Sequence, residues 1–174
     1  MRVIAGEYRR RILKSVPGLD VRPTPDRLRE SLFNVLAPRI AGTIFLDAYA
    51  GSGAVGIEAL SRGASRVILI ESKNAAIEVI RENLTVLGVS RERASVIRGQ
   101  ANVLLANFPA DIVFIDPPYE LENEYTEALN RLAETPCELA IAQHATRLTL
   151  AEDYGRLRKI RVLKQGENSL TFYE

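Results

Sequence analysis

The chain has 174 residues, of which 47% are hydrophobic and 26% are charged, with a formal net charge of +1. This composition excludes a disordered or low-complexity protein, and the length allows one main hydrophobic core. The sequence also lacks an apolar run of the roughly 20 residues that span a bilayer, a signal-peptide core, and a partner for its single cysteine, Cys137. We therefore expect a cytoplasmic protein without a membrane or disulfide.

Positive charge is concentrated in the N-terminal part of the chain. Residues 1–40 carry nine Arg or Lys against four acids, so the remainder is net negative. Such asymmetry favours a basic face for an anionic partner, although a solvated arginine-rich surface would give the same pattern. We predict an extension over residues 1–40 and a main domain over residues 41–174.

The extension itself contains two predicted elements. Residues 1–5 and 11–15 predict a β-hairpin around a turn at Gly6. RPTPDRLRESLFNVL predicts a helix with Thr24 as its N-cap and Pro25 in its first turn.

Strands alternate with helices from residue 43 onward. The predicted strands are TIFLDAY, RVILIE, ASVIRG, DIVFID, ELAIAQ and a C-terminal pair near residues 157–163 and 169–173. Apolar strands separated by helices predict a parallel α/β sheet with helices on both faces. The last two strands have no helix between them, so they predict an antiparallel C-terminal edge.

A glycine-rich loop follows the first of these strands. In LDAYAGSGAVGIEAL, Gly51, Gly53 and Gly56 are spaced as G-x-G-x-x-G, and Glu71 closes the second strand twenty residues after Gly51. Glycines let a ligand approach the backbone at a helix N-terminus, and an acid at that distance can bind ribose hydroxyls. This combination predicts a nucleoside cofactor.

The glycine loop by itself fits either NAD or S-adenosylmethionine. The chain has no room for the substrate domain that an NAD enzyme usually needs. Asp47 precedes the glycines, where a carboxylate repels a pyrophosphate but attracts an ammonium group. Both observations favour S-adenosylmethionine.

The fourth strand ends in FIDPPYE. Two prolines after Asp116 restrict the backbone and hold Asp116 and Pro117 in extended conformations. The Asp116 carboxylate and the Pro117 carbonyl can accept the two hydrogens of a base's amino group, while Tyr119 can stack on the base. A strand ending in a Pro-Pro turn with an exposed tyrosine is the structural alternative.

The motifs LDAYAGSG and DPPY, in this order, resemble class I S-adenosylmethionine methyltransferases that act on amino groups. RPTPDRLRESLFNVL and EALSRGA resemble the RsmD family, bacterial enzymes that methylate N2 of one guanine in 16S ribosomal RNA. The resemblance implies a Rossmann-like sheet of seven strands, S-adenosylmethionine as cofactor, and a monomer that needs no metal. Its implied partner is 16S rRNA, free or within an assembling small subunit.

The resemblance also implies three sets of site residues. Those at the target amine are Asp116, Pro117, Pro118 and Tyr119. Those at the cofactor are Asp47, Ala48, Ala50, Gly51, Ser52, Gly53, Glu71, Ser72, Gln100, Ala101 and Asp116, with Gln100 standing where the family often has an Asp. Those facing RNA are Arg9, Arg10, Arg11, Arg22, Thr24, Arg27 and Arg29, of which Arg27 and Arg29 could instead form helix-surface ion pairs.

Two rival functions remain open at this point. One is an amino-methyltransferase acting on DNA adenine or protein glutamine, because both classes share DPPY. The other is a nucleotide- or RNA-binding module without catalysis. The single histidine, His144, is expected at an exposed rim rather than in the chemistry.

Overall fold

Five α-helices and eight strands make up the computed structural model, which describes residues 1–17, 25–118 and 120–174. The helices are α1 Asp26–Leu36, α2 Ala54–Ser61, α3 Asn74–Val86, α4 Ala101–Leu104 and α5 Glu122–Ala133, with a 3-10 turn at Leu105–Asn107. The strands are β1 Ile44–Asp47, β2 Arg66–Glu71, β3 Ala94–Arg98, β4 Ile112–Ile115, β5 Leu139–Ala145, β6 Asp153–Tyr154, β7 Leu157–Gln165 and β8 Asn168–Tyr173.

All eight strands form one sheet in the order β3-β2-β1-β4-β5-β8-β7-β6. Strands β1 to β5 are parallel, and β8 pairs antiparallel with both β5 and β7. The predicted Rossmann-like, mostly parallel sheet with an antiparallel C-terminal end is therefore confirmed. The two-residue strand β6 adds an eighth strand to the seven expected, because a single pair of residues gives no periodic signal. Strand order reverses between β1 and β4, where open α/β sheets bind ligands.

The sheet is covered on both faces by apolar packing. One buried cluster includes Phe33 of α1 and Phe45 of β1 beside residues of α2 and α3. The other includes Leu46 of β1 and Leu129 of α5. Consecutive strand residues point to opposite faces, and both faces are covered, so a central strand such as β4 is apolar and buried throughout. Each fully buried large apolar side chain stabilises the fold by about 1.5–3 kcal/mol.

The N-terminal segment packs on the same core, and its antiparallel pairing is shorter than the predicted strands over residues 1–5 and 11–15. An antiparallel bridge joins Arg2 and Ile12, and the backbone N–H groups of Val3 and Leu13 donate to the carbonyls of Arg11 and Met1, each at 2.9 Å, so the two segments pair as a short hairpin. Val3, Tyr8 and Leu13 are buried in the first apolar cluster, which attaches this segment to the main domain. Helix α1 begins at Asp26, and the predicted cap Thr24 lies outside the described residues.

No helix within the described ranges is both long enough and apolar enough to cross a membrane.

Candidate active site

A cavity of about 650 Å³ opens at the carboxyl ends of the parallel strands. Its walls come from the loops that follow β1, β2, β3 and β4, together with the end of β5. Nine of the residues predicted from the sequence line it: Ala48, Gly51, Glu71, Ser72, Gln100, Ala101, Asp116, Pro117 and Pro118. The topology thus brings the glycine loop, the acid after β2 and the DPP segment into one space, as expected at a reversal of strand order.

The glycine loop and Glu71 are joined by hydrogen bonds. Oε2 of Glu71 accepts the backbone N–H of Gly51 at 2.8 Å, and Oε1 accepts the N–H groups of Ser72 and Lys73, each at 2.8 Å. A carboxylate offers about four acceptor positions, so these three bonds leave capacity for a ligand hydroxyl. The Glu71 side chain is therefore held in place before any ligand arrives.

Other predicted cofactor residues lie behind the cavity wall rather than on it. Ala50, Ser52, Gly53 and Asp47 are absent from the cavity lining. Gly53 precedes α2 with a φ of +80°, a left-handed conformation that favours glycine. These residues shape the loop, and their predicted contact with the cofactor stays a prediction.

Asp47 lies beneath the N-terminus of α2. The side chain is buried, and Oδ2 accepts the backbone N–H of Gly56 at 3.0 Å. Burial raises the pKa of Asp47 to about 7, the Gly56 N–H opposes that shift, and the charge of Glu71 adds to it. A Cβ on Gly56 would approach Leu69 to 2.8 Å, so this glycine serves helix packing against β2.

Asn83 of α3 connects the glycine loop to the N-terminal segment. Its Nδ2 donates to the carbonyls of Ser52 and Lys14, both at 3.1 Å, and its Oδ1 accepts the N–H of Lys14 at 2.8 Å. The side chain is 3% exposed. A single buried amide therefore fixes the relative position of the two segments, a role that no local sequence pattern indicates.

Asp116 is contacted by a residue that the sequence did not single out. Nε2 of Gln143, at the end of β5, donates to Oδ2 of Asp116 at 2.9 Å. Pro117 is buried and Pro118 is exposed, while Tyr119 lies outside the described residues. The sequence does carry one signal for Gln143 as a site residue, because it lies near the carboxyl end of an apolar strand, where ligands bind.

Further cavity residues come from the start of α5 and the loop after β1. Tyr49 donates its hydroxyl to Oε2 of Glu124 at 2.6 Å, and burial together with that carboxylate raises the pKa of Tyr49. Glu120 and Leu121 complete this side. The described lining holds the acids Glu71, Asp116, Glu120 and Glu124 and the single cation Lys73, so the cavity is acidic.

The residues predicted to face RNA have different outcomes. Arg9, Arg10, Arg11 and Arg27 are exposed, and Arg22 and Thr24 fall outside the described residues. The prediction for Arg29 is wrong, because its side chain is 0% exposed.

Arg29 instead belongs to a buried ion cluster. Nη2 contacts the Arg2 carbonyl at 2.5 Å and the Asp26 carboxylate at 3.1 Å, and Nε lies 3.9 Å from Glu58. Burial lowers the pKa of Arg29, and the carboxylates of Glu58 and Asp26 oppose that shift. This residue connects helices and cannot reach a nucleic acid.

The expected exposed position of His144 is also wrong. The side chain is 3% exposed, with Nε2 at 2.8 Å from the Thr171 hydroxyl and Nδ1 at 2.9 Å from the Ala145 carbonyl. Burial lowers its pKa. Among the described residues, no three His, Cys, Asp or Glu side chains are grouped as metal ligands.

Comparison with known proteins identifies the family. The model described as "Conserved hypothetical protein 95" matches residues 1–174. The chain belongs to this family. A relative, YlbH of Bacillus subtilis, is 34% identical over 185 residues, covering 100% of this chain and 98% of that protein.

Two further comparisons agree with this family assignment. Ribosomal RNA small subunit methyltransferase D of Escherichia coli (strain K12) is 44% identical over 121 residues, 68% of this chain and 60% of that protein. The solved structure of yhhF from Escherichia coli has a TM-score of 0.84 at 36% identity, covering 99% of this chain and 96% of that chain. The resemblance to the RsmD family is thereby confirmed.

Proposed function

We propose that this protein transfers a methyl group from S-adenosylmethionine to the N2 amine of a guanine in the 16S rRNA of the small ribosomal subunit. The observation that carries the proposal is that Glu71 and Gly51 of the glycine loop line the same acidic cavity as the DPP segment. The relative named ribosomal RNA small subunit methyltransferase D supports the ribosomal substrate.

The cavity fits the cofactor in size and charge. Its volume of about 650 Å³ lies within the range of small-molecule sites. S-adenosylmethionine carries a sulfonium and an ammonium but no phosphate, whereas NAD carries a pyrophosphate. Four carboxylates attract the former and repel the latter, which supports S-adenosylmethionine. When bound, this cofactor supplies an electrophilic methyl carbon.

The residues of the chain then have separate tasks. Glu71 and the Gly51 loop would hold the nucleoside part, with Gln100 at its base. Asp116 and the Pro117 carbonyl would accept the two N–H groups of the target amine and orient its lone pair. The amine nitrogen held by these two acceptors would attack the methyl carbon that the bound cofactor supplies, with cleavage of the carbon–sulfur bond to leave a neutral thioether, and the proton lost from the nitrogen would pass to solvent.

The polarity of the cavity supports guanine over adenine. Guanine presents an N1–H donor beside its N2 amine, whereas adenine presents a bare N1 acceptor beside its N6 amine. Asp116, Glu120 and Glu124 are acceptors and line the space beside the prolines. A guanine edge would satisfy these oxygens, and an adenine edge would place a lone pair against them.

Transfer of a labelled methyl group tests the proposal. Naked 16S rRNA, assembled small subunits, DNA and a protein extract are each offered with labelled S-adenosylmethionine, and modified RNA is digested for mass analysis. We expect N2-methylguanine at one position. Label confined to DNA or protein, or a protein that binds NAD and ignores S-adenosylmethionine, would contradict the proposal.

Two variants locate the chemistry within the cavity. Asp116→Ala should lose methyl transfer while keeping affinity for S-adenosylhomocysteine, because the amine loses an acceptor. Asp153→Ala, which removes an exposed carboxylate on β6 outside the cavity, is the matched control and should retain normal transfer. Near-normal turnover by Asp116→Ala would remove Asp116 from the reaction.

A further inference from the structure

Gln143 lies where the sheet brings β5 against the reacting segment. The last register pair between β4 and β5 is Ile115 with Ala142, so Asp116 and Gln143 are the next residues along these two parallel strands. Gln143 is 2% exposed and lines the cavity, and its Nε2 is 2.9 Å from Oδ2 of Asp116. This amide is therefore a buried neighbour of the carboxylate proposed to grip the target amine.

The backbone of Gln143 is fixed from two sides. Its carbonyl accepts the hydroxyl of Tyr125 from α5 at 2.9 Å, in a buried hydrogen bond. Its Cα pairs with Leu170 of β8 in the antiparallel ladder. Because the backbone of Gln143 is fixed, its side chain loses little further conformational entropy when the amide donates to Asp116. Folding has already ordered this part of the site before a substrate binds.

We infer that Gln143 is a positioning residue for methyl transfer, which acts by fixing the orientation and the charged state of the Asp116 carboxylate. A hydrogen bond donated to a carboxylate favours its ionised form and sets the plane of the two oxygens. Asp116 and the Pro117 carbonyl are then arranged as acceptors before RNA arrives. This inference rests on the proposed function.

Two substitutions separate the hydrogen bond from the volume of the side chain. Gln143→Leu keeps a similar volume without a donor, and we expect kcat to fall about 10- to 100-fold, because a hydrogen bond to a charged group is lost. Gln143→Glu replaces the donor with a second carboxylate, so its kcat at neutral pH should be lower still. KM for RNA and the affinity for S-adenosylhomocysteine should stay within about threefold of the wild type.

The pH profile gives a readout that general destabilisation does not produce. Without the donor, Asp116 ionises at higher pH, so the acid limb of the kcat profile of Gln143→Leu should move upward. The wild type and Gln143→Leu share all other titratable groups around this site, so a difference between their pH profiles reports on Asp116. These shared groups are Asp47, Tyr49, Glu71, Lys73, Glu120, Glu124 and His144.

A buried hydrogen bond on the same sheet supplies the control. Thr171→Val removes the hydroxyl that contacts Nε2 of His144 at 2.8 Å, and Thr171 is 1% exposed and absent from the cavity lining. We expect its unfolding free energy to fall about as much as that of Gln143→Leu, while its kcat and acid limb stay unchanged.

Carbon-13 NMR of labelled aspartate separates this inference from the proposed function. The titration of the Asp116 carboxyl is compared between wild type and Gln143→Leu, and it requires no substrate. An unchanged titration, or an unchanged kcat, would overturn the positioning role. A raised KM for RNA with a normal kcat would overturn it in favour of direct base binding. A wild-type protein that methylates no RNA would refute the proposed function instead.

Discussion

Replacing Glu58 with Ala should cause a large loss of stability. Glu58 lies in α2 and is 0% exposed. Its Oε2 accepts the N–H of Ile4 at 2.8 Å, and its Oε1 accepts the N–H of Ala5 at 3.1 Å and Nε of Arg62 at 2.8 Å. Nε of Arg29 in α1 is 3.9 Å away. One carboxylate therefore holds the N-terminal segment, α1 and α2 together.

The magnitude follows from the charge that Glu58→Ala would leave behind. Arg29 is 0% exposed, and among the described residues Nε and Nη1 have no hydrogen-bond partner. Removing one partner of a buried ion pair costs about 3–5 kcal/mol. Because the Asp26 carboxylate still lies 3.1 Å from Nη2 of Arg29 and compensates part of its charge, we expect a loss at the lower end of this range, about 3 kcal/mol. Total stabilities are about 5–15 kcal/mol, so this loss is about a fifth of the total or more.

Urea unfolding followed by circular dichroism measures this loss. The matched control is Glu82→Ala, which breaks an exposed pair with Lys14, whose side chains are 52% and 65% exposed. Surface pairs contribute at most about 1 kcal/mol, so the control should change the midpoint little. The double variant Glu58→Gln with Arg29→Met removes both charges and should recover part of the lost stability.

Two results would refute the argument about the buried charge. One is a loss for Glu58→Ala no larger than that for Glu82→Ala. The other is a double variant less stable than Glu58→Ala, because removing the buried guanidinium, which then keeps only Asp26 as a partner, should relieve its desolvation cost.

Three further predictions concern pH, cofactor and RNA. Asp47 has a pKa near 7 in the folded chain against an ordinary 3.8, so the folded state binds its proton more tightly. The unfolding free energy of the wild type should therefore fall relative to Asp47→Asn by up to about 4 kcal/mol between pH 4 and pH 8; parallel urea profiles would disprove this. Glu71→Ala should weaken S-adenosylhomocysteine binding about 10- to 100-fold by calorimetry, because three N–H groups lose a charged acceptor; unchanged affinity would remove Glu71 from the site. Replacing Arg9, Arg10 and Arg11 together with Ala should weaken RNA binding and reduce the salt slope by about 2–3; an unchanged slope would remove this segment from the interface.

Local patterns were sufficient for most elements of the fold. Apolar runs predicted strands β1 to β5, because burial on both faces requires uninterrupted apolar residues. The segments between these runs predicted helices α2, α3 and α5, because parallel neighbouring strands need helical crossovers. The ends of the predicted strands also identified the glycine loop, Glu71 and Asp116 as site residues, because ligands bind at the carboxyl ends of parallel strands. The failures occurred where polar side chains were assumed to face water, as with Arg29 and His144.

The sequence by itself determined the α/β class, the order of the motifs and the chemical types at the site. Those features depend on neighbours within a few residues of each other along the chain. Only the tertiary structure decided three contacts between distant residues. Gln143 donates a hydrogen bond to Asp116, Asn83 donates to the carbonyls of Lys14 and Ser52, and Glu58 forms a buried ion pair with Arg29. These partners are 27 to 69 residues apart along the chain. A buried polar group is stable only where the fold supplies its partner, and that partner cannot be read from either segment alone.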